Sequence, residues 1–138
     1  HRNCSIICVI TGGRVVREAK TNGYVTTLGG RRRSLPDLLS MNTHLSSQAS
    51  RQAINTVIQG SAADIIKMAM LAVAHDTLLR GMGVRLLLQI HDELLLEVPC
   101  AVVEEAGKRV AALMEGVMSL AVPLVADWGY GASWGDAH

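Results

Sequence analysis

The residues with the clearest capacity for chemistry form a short acidic turn, His91-Asp92-Glu93, between two apolar runs. Adjacent carboxylates repel each other unless a cation neutralises them. Carboxylate oxygens without soft ligands suit Mg²⁺ or Mn²⁺ better than Zn²⁺. A hairpin turn also holds a ligand rigidly, because strand pairing fixes its position. A solvated polar turn explains these three residues, taken alone, at least as well as a cation site does.

A second group of polar residues follows one stripe of a predicted helix. Arg51, Asn55 and Gln59 are spaced at i, i+4 and i+8, which places them on one helix face. Arginine donates to phosphates, and each amide presents a donor and an acceptor that suit base edges in the minor groove. The stripe therefore predicts a surface that checks the shape of a duplex without reading its sequence. The alternative is the polar outer face of an amphipathic helix.

A compact basic cluster, Arg31-Arg32-Arg33, follows a predicted strand. It can bind phosphates, belong to a localisation signal, or simply be solvated. Residues 1–60 carry eight basic and two acidic side chains, a balance of +6, whereas residues 61–138 carry five and ten, a balance of −5. A basic half beside an acidic half fits a surface that holds a polyanion next to one that holds cations. Chance segregation onto two solvated faces is the alternative.

The elements that must position these residues follow from apolar periodicity and from glycine and proline signals. The first part of the chain is predicted to have an irregular or strand-like start over 1–13, a helix from Arg14 to Thr21 capped by Asn22-Gly23, a strand over 24–28 and a basic loop over 31–42. A helix from Ser46 to about Ile58 follows, then a break at Gly60 and a helix over 62–79 with Ser61 as its N-cap. The last part is predicted to have a hairpin of 84–90 and 94–98, a helix over 101–120, a strand over 122–126 and a loop over 131–138. This order predicts an α+β fold, an antiparallel sheet with helices on one face.

The composition restricts the class of protein. A chain of 138 residues suffices for one domain with one modest core. No apolar run is expected to reach the roughly 18–20 residues that span a bilayer, and the run over 5–11 is too short for a signal peptide. The three cysteines form neither a CxxC pair nor an even framework, so reduced thiols are expected, with no zinc site, no structural disulfide and no membrane partner.

Four segments follow one another along the chain: GYVTTLGGRRRSLP, RQAINTVIQGSAADIIK, LLLQIHDELLLEVP and ASWGDAH. In this order and spacing they resemble the C-terminal palm of family A DNA polymerases, the family of bacterial DNA polymerase I and of the eukaryotic polymerases theta and nu. The resemblance covers residues 14–138 and implies a partial polymerase palm with a motif C hairpin and a small part leading in from the fingers. Residues 1–13 stay unassigned, as a divergent start. The stretches RRRSLP, RQAIN and IQGSAAD look closer to the theta/nu-like branch.

The resemblance implies a catalytic role for the acidic turn. Asp92 corresponds to one of two aspartates that bind both catalytic metal ions, and Glu93 to a nearby carboxylate of lesser or indirect role. The implied chemistry is two-metal nucleotidyl transfer of dNTPs onto a DNA primer 3′ end, in replication or repair, with two Mg²⁺ ions or with Mn²⁺.

The resemblance also implies contacts with primer-template DNA. Arg51 and Asn55 would contact the duplex behind the active site, Gln59 and His91 would approach the minor groove at the primer terminus, and the Arg31–Arg33 loop would contact the backbone. The dNTP would be held mostly by residues outside this chain. The implied location is intracellular: the nucleus for a theta/nu-like enzyme, otherwise a bacterial cytoplasm or an organelle.

The 138 residues do not include the family's motif A aspartate or its fingers helix, so no polymerase activity is expected from this chain in isolation. A second hypothesis is a DNA-binding module that keeps the duplex-gripping helix without catalysis. A third is a generic α+β domain with an incidental acidic hairpin, which predicts no DNA affinity at any ionic strength.

Overall fold

A computed structural model of the chain describes residues 4–136, without the side chains of residues 4–12 and Trp134. Its elements are α1 (Cys4–Asn22), β1 (Tyr24–Thr26), β2 (Arg32–Ser34), α2 (Thr43–His75), α3 (Thr77–Gly81), β3 (Arg85–Ile90), β4 (Glu93–Glu97) and α4 (Val103–Gly116), with 3₁₀ turns at Pro36–Leu39, Cys100–Val102 and Trp134–Asp136. The predicted mixture of helices and antiparallel strands is confirmed. The described strands form two separate two-stranded sheets, β1–β2 and β3–β4, rather than one. The chain divides into two compact units, His1–Asp64 and Ile65–His138.

The first helix ends as predicted and begins earlier. Gly23 has a φ of 77° and donates its N–H to the Ala19 carbonyl at 2.8 Å, which is a left-handed helix cap. The prediction of an irregular start is wrong from Cys4 onward, and residues 1–3 lie outside the described part. Extending an existing helix avoids a new nucleation step, and each of the two glycines at 12 and 13 costs only about 1 kcal/mol in a helix.

A β-hairpin follows this helix where only one strand was predicted. Strand β2 pairs antiparallel with β1, with Tyr24 opposite Ser34 and Thr26 opposite Arg32. The prediction of a loop over 31–42 therefore missed β2 and the 3₁₀ turn at Pro36–Leu39, because three consecutive arginines do not resemble a strand. The hairpin packs on a small core in the first unit, formed by Ala19, Val25, Leu35, Leu38, Ala49 and Ala53.

Helix α2 runs without a break, so the prediction of two helices separated at Gly60 is wrong. A glycine inside a helix costs about 1 kcal/mol, which does not outweigh an otherwise continuous ladder of hydrogen bonds. Ser61 is not an N-cap: its hydroxyl donates to the Val57 carbonyl one turn earlier.

The continuity of α2 also changes the expectation about membranes. At 33 residues, with a mean hydropathy of 1.5 over its most apolar 18-residue stretch, α2 is long and apolar enough to cross a membrane by length and composition alone. No such stretch was expected. About one fifth of that stretch (22%) is buried, and an interior helix of a soluble protein meets the same two criteria.

In the second unit α2 ends at His75, and the helix predicted to continue to Leu79 restarts as α3. The Asp76 carboxylate accepts from the Leu79 N–H at 2.9 Å, which caps α3. The predicted hairpin is confirmed as β3–β4, with a register irregularity between Leu86 and Leu88. The core of this unit contains Val73, Leu79, Ala106 and Val110.

The C-terminal segment lacks the strand predicted over 122–126. Within residues 4–136, no strand is present there, and α4 ends at Gly116 rather than near 120. The Ala126 N–H donates instead to the Glu115 carboxylate at 3.0 Å, so a side chain satisfies a donor that a partner strand would have used. The predicted terminal loop is interrupted by the 3₁₀ turn at Trp134–Asp136, and residues 137–138 lie outside the described part.

Candidate metal turn and nucleic-acid interface

The acidic turn is a two-residue hairpin loop. Ile90 pairs with Glu93, so His91 and Asp92 alone connect β3 to β4. His91 has a φ of 54°, at the first loop position, where a type II′ turn favours glycine. A non-glycine residue in this region costs about 1 kcal/mol. The Gln89 side-chain amide donates to the His91 carbonyl and supports the turn from within.

Both residues that carry the carboxylates of the turn, Asp92 and Glu93, are exposed. Their oxygen atoms are ligands of the type that Mg²⁺ prefers. The residues described by the structure gather no group of three or more His, Cys, Asp or Glu side chains that could hold a metal ion. Asp92 therefore fits as one rigidly held ligand, and the remaining ligands of an octahedral Mg²⁺ would have to come from water, substrate or other carboxylates.

The polar stripe of α2 is on the surface of the first unit. Arg51, Asn55 and Gln59 are all exposed, whereas Ala53 between them is fully buried. One guanidinium nitrogen of Arg51 lies 3.5 Å from the Ser47 hydroxyl, which leaves its other donors available. The predicted stripe is thus present as a surface, and its residues can reach a ligand without rearrangement of the core.

Arg31 is exposed, but its guanidinium is bonded to other residues of the first unit. Its Nε donates to Asp64 Oδ1 at 3.0 Å, and its Nη2 donates to the Gly60 carbonyl at 3.2 Å. The Asp64 side chain is only 12% exposed, so this ion pair is partly shielded from water and salt. All three arginines were predicted to contact DNA. The structure distinguishes Arg31 from the other two, because only Arg31 is bonded to Asp64.

Arg32 and Arg33 have different partners, and both are exposed. The guanidinium of Arg32 lies 4.7 Å from the centroid of the Tyr24 ring, a cation–π contact that leaves the charge accessible. Arg33 donates to the Thr56 hydroxyl at 3.0 Å. Thr56, Tyr24 and Asp64 were not among the predicted site residues. The one signal in the sequence that pointed to them is Asp64, a single acidic residue within the apolar half of α2.

The two parts of the predicted site belong to different units. The arginine cluster and the α2 stripe are in the first unit, and the acidic turn is in the second. The first unit carries eight basic and three acidic residues, a balance of +5, and the second carries five and nine, a balance of −4. The basic excess therefore accompanies the predicted DNA-binding residues, and the acidic excess accompanies the predicted metal ligand.

One ion pair of the second unit is structural. Asp76 Oδ2 accepts from Arg109 Nη2 at 2.6 Å and from Arg109 Nε at 3.0 Å. The Arg109 hydrogen bonds, followed by the Leu79 N–H, hold the pKa of Asp76 below its ordinary value of 3.8. The pair links the start of α3 to α4.

Cys100 is a free, exposed thiol. The side chains of Cys4 and Cys8 are not among those that the structure describes.

Comparison with known proteins identifies the class to which this hairpin and helix belong. The family model for DNA polymerase family A matches residues 13–136, and the chain belongs to that family. DNA polymerase I of Geobacillus stearothermophilus is 50% identical over 123 residues, which cover 89% of this chain and 14% of that protein. DNA polymerase I of Bacillus subtilis is 51% identical over 122 residues, which cover 88% and 14%.

A solved structure supports the fold. The POL domain of Pol1 from M. smegmatis, in complex with DNA primer-template and dNTP, matches with a TM-score of 0.86 and 45% identity, over 91% of this chain and 22% of that chain. The expected partial polymerase palm is thereby confirmed. The chain spans about one seventh (14%) of the length of these curated relatives. The relatives named here are bacterial enzymes, and the comparisons do not show the predicted theta/nu-like branch.

Proposed function

We propose that this chain supplies part of the active site of a template-directed DNA polymerase that transfers dNTPs onto a primer 3′ end in DNA replication or repair. The observation that carries the proposal is the placement of Asp92 at the exposed tip of a rigid hairpin in a chain of family A. Residues 14–138 would form the C-terminal part of the palm, and residues 1–13 have no assigned role. The bacterial relatives support an intracellular site of action, and nothing supports the nuclear alternative.

Within this proposal Asp92 is the metal ligand. When bound, Mg²⁺ or Mn²⁺ would favour ionisation of the primer 3′-hydroxyl and neutralise phosphate charge. The contribution of this chain is to fix the backbone position of Asp92 through strand pairing and through the Gln89 bond to the turn. Glu93, one residue later, would have a lesser or indirect role.

The proposed partner is primer-template DNA. Arg51 and Asn55 would contact the duplex, and Gln59 with His91 would approach the minor groove at the primer terminus. The exposure of these side chains and the complex of the M. smegmatis domain with primer-template and dNTP support this assignment. Amide and imidazole groups suit the minor groove because its acceptors are similar for all base pairs, so binding would not depend on sequence.

A chimera tests the proposed catalytic role. Residues 13–136 would replace the matching stretch of the G. stearothermophilus enzyme, and Asp92→Asn would be compared with the exposed control Asp127→Asn in single-turnover primer extension. We expect Asp92→Asn to lower the rate of incorporation about 100-fold or more while the Kd for primer-template stays within about twofold. The control should leave both quantities unchanged.

The alternative, a DNA-binding module without catalysis, predicts a different result. In that case Asp92→Asn would leave incorporation by the chimera as it was, and binding would depend on salt alone. Loss of DNA binding in the unmodified chimera would contradict both hypotheses.

The 138-residue chain by itself should not extend a primer. One carboxylate turn provides too few ligands for two metal ions, and the described residues gather no further cluster. Metal-dependent incorporation by this chain alone in a single-turnover assay would refute that expectation.

A further inference from the structure

The turn that joins β1 to β2 is bonded to α2 by a partly buried polar cluster. The Thr27 hydroxyl donates to Asp64 Oδ2 and accepts from the Arg31 N–H at 3.1 Å. Arg31 donates its Nε to the other oxygen of the same carboxylate at 3.0 Å. Thr27 is only 5% exposed and the Asp64 side chain 12%, so the bond between these two residues is shielded from water, whereas the Arg31 side chain is 53% exposed. One carboxylate thus binds both ends of the turn at once.

Two backbone contacts complete the attachment. The Leu28 N–H donates to the Ser61 hydroxyl at 2.9 Å, and Arg31 Nη2 donates to the Gly60 carbonyl at 3.2 Å. The approach is close enough to require glycine: a Cβ at Gly60 would lie 2.8 Å from Thr27 Cγ2. The contact between the turn and α2 therefore depends on three features together: the absence of a Cβ at Gly60, the buried Thr27 hydroxyl and the Asp64 carboxylate that Thr27 and Arg31 share.

The attachment uses the back of α2. With roughly 100° per residue, the positions of Gly60, Ser61 and Asp64 lie on the side of the helix opposite Asn55. The stripe of Arg51, Asn55 and Gln59 is therefore left uncovered. The turn and the stripe are held in one fixed relation, because both belong to the first unit and the same helix connects them.

We propose that Thr27 and Asp64 are positioning residues for DNA binding: they clamp the turn over residues 27–31 to α2. Arg32 and Arg33, which follow this turn in β2, then keep a fixed position beside the α2 stripe, where Arg33 bonds Thr56 next to Asn55. In this division of roles Arg31 serves the clamp, because two of its guanidinium nitrogens donate to Asp64 and Gly60. The inference rests on the proposed DNA-binding function and assigns roles that the arginine cluster alone does not distinguish.

The clamp and long-range electrostatics predict opposite changes in DNA affinity for the variant Asp64→Ala. Removing an acidic residue makes the chain more positive, so long-range electrostatics predicts tighter binding of primer-template DNA. The clamp predicts binding weaker by about three- to tenfold, because Arg32 and Arg33 lose their fixed position. The matched control is Asp37→Ala, an exposed aspartate of the same unit outside the clamp, which should bind equally or slightly more tightly.

A charge-conserving pair of variants provides a second measurement. Lysine keeps the charge but cannot form the two-point contact of Arg31. Arg31→Lys should therefore weaken binding, whereas Arg17→Lys, at an exposed arginine of α1 outside the clamp and the proposed DNA contacts, should bind within about twofold of the parent. Fluorescence anisotropy with a primer-template duplex at several salt concentrations would give Kd and the salt slope, for both the 138-residue chain and the chimera, with circular dichroism to verify folding.

The possible outcomes are distinct. Weaker binding by Asp64→Ala and Arg31→Lys, with a salt slope smaller by about 1 to 2 than that of the parent, supports the clamp. Unchanged or tighter binding by folded Asp64→Ala, or equal effects of the two lysine variants, would overturn it while leaving the DNA-binding proposal intact. If the parent shows no salt-dependent affinity in either form, the proposed function fails and the clamp fails with it.

Discussion

Replacing Gly60 by alanine should destabilise the protein although the residue lies inside a helix. In an unobstructed helix, alanine is about 1 kcal/mol more favourable than glycine. At Gly60 the new Cβ would lie 2.8 Å from Thr27 Cγ2 and 3.3 Å from Arg31 Nη2. The first distance is shorter than a real carbon–carbon contact, so Thr27 or the helix has to move.

The magnitude follows from what that movement disturbs. Thr27 is almost fully buried, and its branched side chain has few alternative rotamers. Inserting a methyl group into such a site costs about 1–3 kcal/mol, and weakening the Thr27–Asp64 hydrogen bond costs about 1 kcal/mol more. After the gain of about 1 kcal/mol in helix propensity is subtracted, the net loss is about 2 kcal/mol.

The assay is urea unfolding of the 138-residue chain followed by circular dichroism. A loss of about 2 kcal/mol would lower the midpoint by about 1 M. Gly13→Ala is the matched control, because Gly13 lies inside α1 and a Cβ there would meet no atom within 4 Å. That variant should be more stable by about 0.5–1 kcal/mol. Stabilisation by both substitutions would refute the close approach of the turn to α2.

Three other perturbations have outcomes that follow from the structure. His91→Gly should relieve the positive φ and stabilise the β3–β4 hairpin by about 1 kcal/mol in urea unfolding, yet slow primer extension by the chimera; an unchanged extension rate would remove His91 from the site. Asp76→Asn keeps a capping side chain but loses the ion pair with Arg109. Because the folded pKa of Asp76 lies below 3.8, its stabilisation is present above that pH and is lost as the pH falls through the lowered pKa. Parent and variant should therefore differ in thermal stability near pH 6 and converge below the lowered pKa; a constant difference would contradict the ion-pair account. Gly107→Ala would place a Cβ 2.4 Å from the Trp128 ring and should shift tryptophan fluorescence to the red, whereas an unshifted spectrum would show that the ring does not rest there.

The sequence predicted elements well where local signals and tertiary packing agree. The hairpin around the acidic turn has apolar runs of the right length on both sides, and the end of α1 at Asn22-Gly23 has a residue that can adopt positive φ. In both places the local preference is also the final conformation. Such agreement is why the position of the candidate metal ligand could be inferred before the fold was known.

Prediction failed where a residue serves a distant partner. Gly60 resembles a helix break in sequence, but its lack of a side chain makes room for the turn between β1 and β2. Ser61 and Asp64 resemble the start of a helix and its capping partner, yet their side chains bind that same turn. Contacts between residues more than 30 positions apart leave no local pattern, so one long helix was divided into two.

The same distinction explains why only part of the candidate site was foreseen. Residues proposed to touch DNA or metal, such as Arg51 and Asp92, are exposed, and polar residues at regular spacing or beside apolar runs are conspicuous in a sequence. Residues proposed to position them, such as Thr27 and Asp64, are largely shielded from solvent and hydrogen-bonded to each other. In the sequence they resemble ordinary members of their elements. Replacing a residue that touches DNA removes that one contact, whereas replacing a positioning residue displaces several contacts at once. Asp64→Ala should therefore weaken DNA binding more than the removal of Arg32 or of Arg33 does, although it increases the positive charge of the chain.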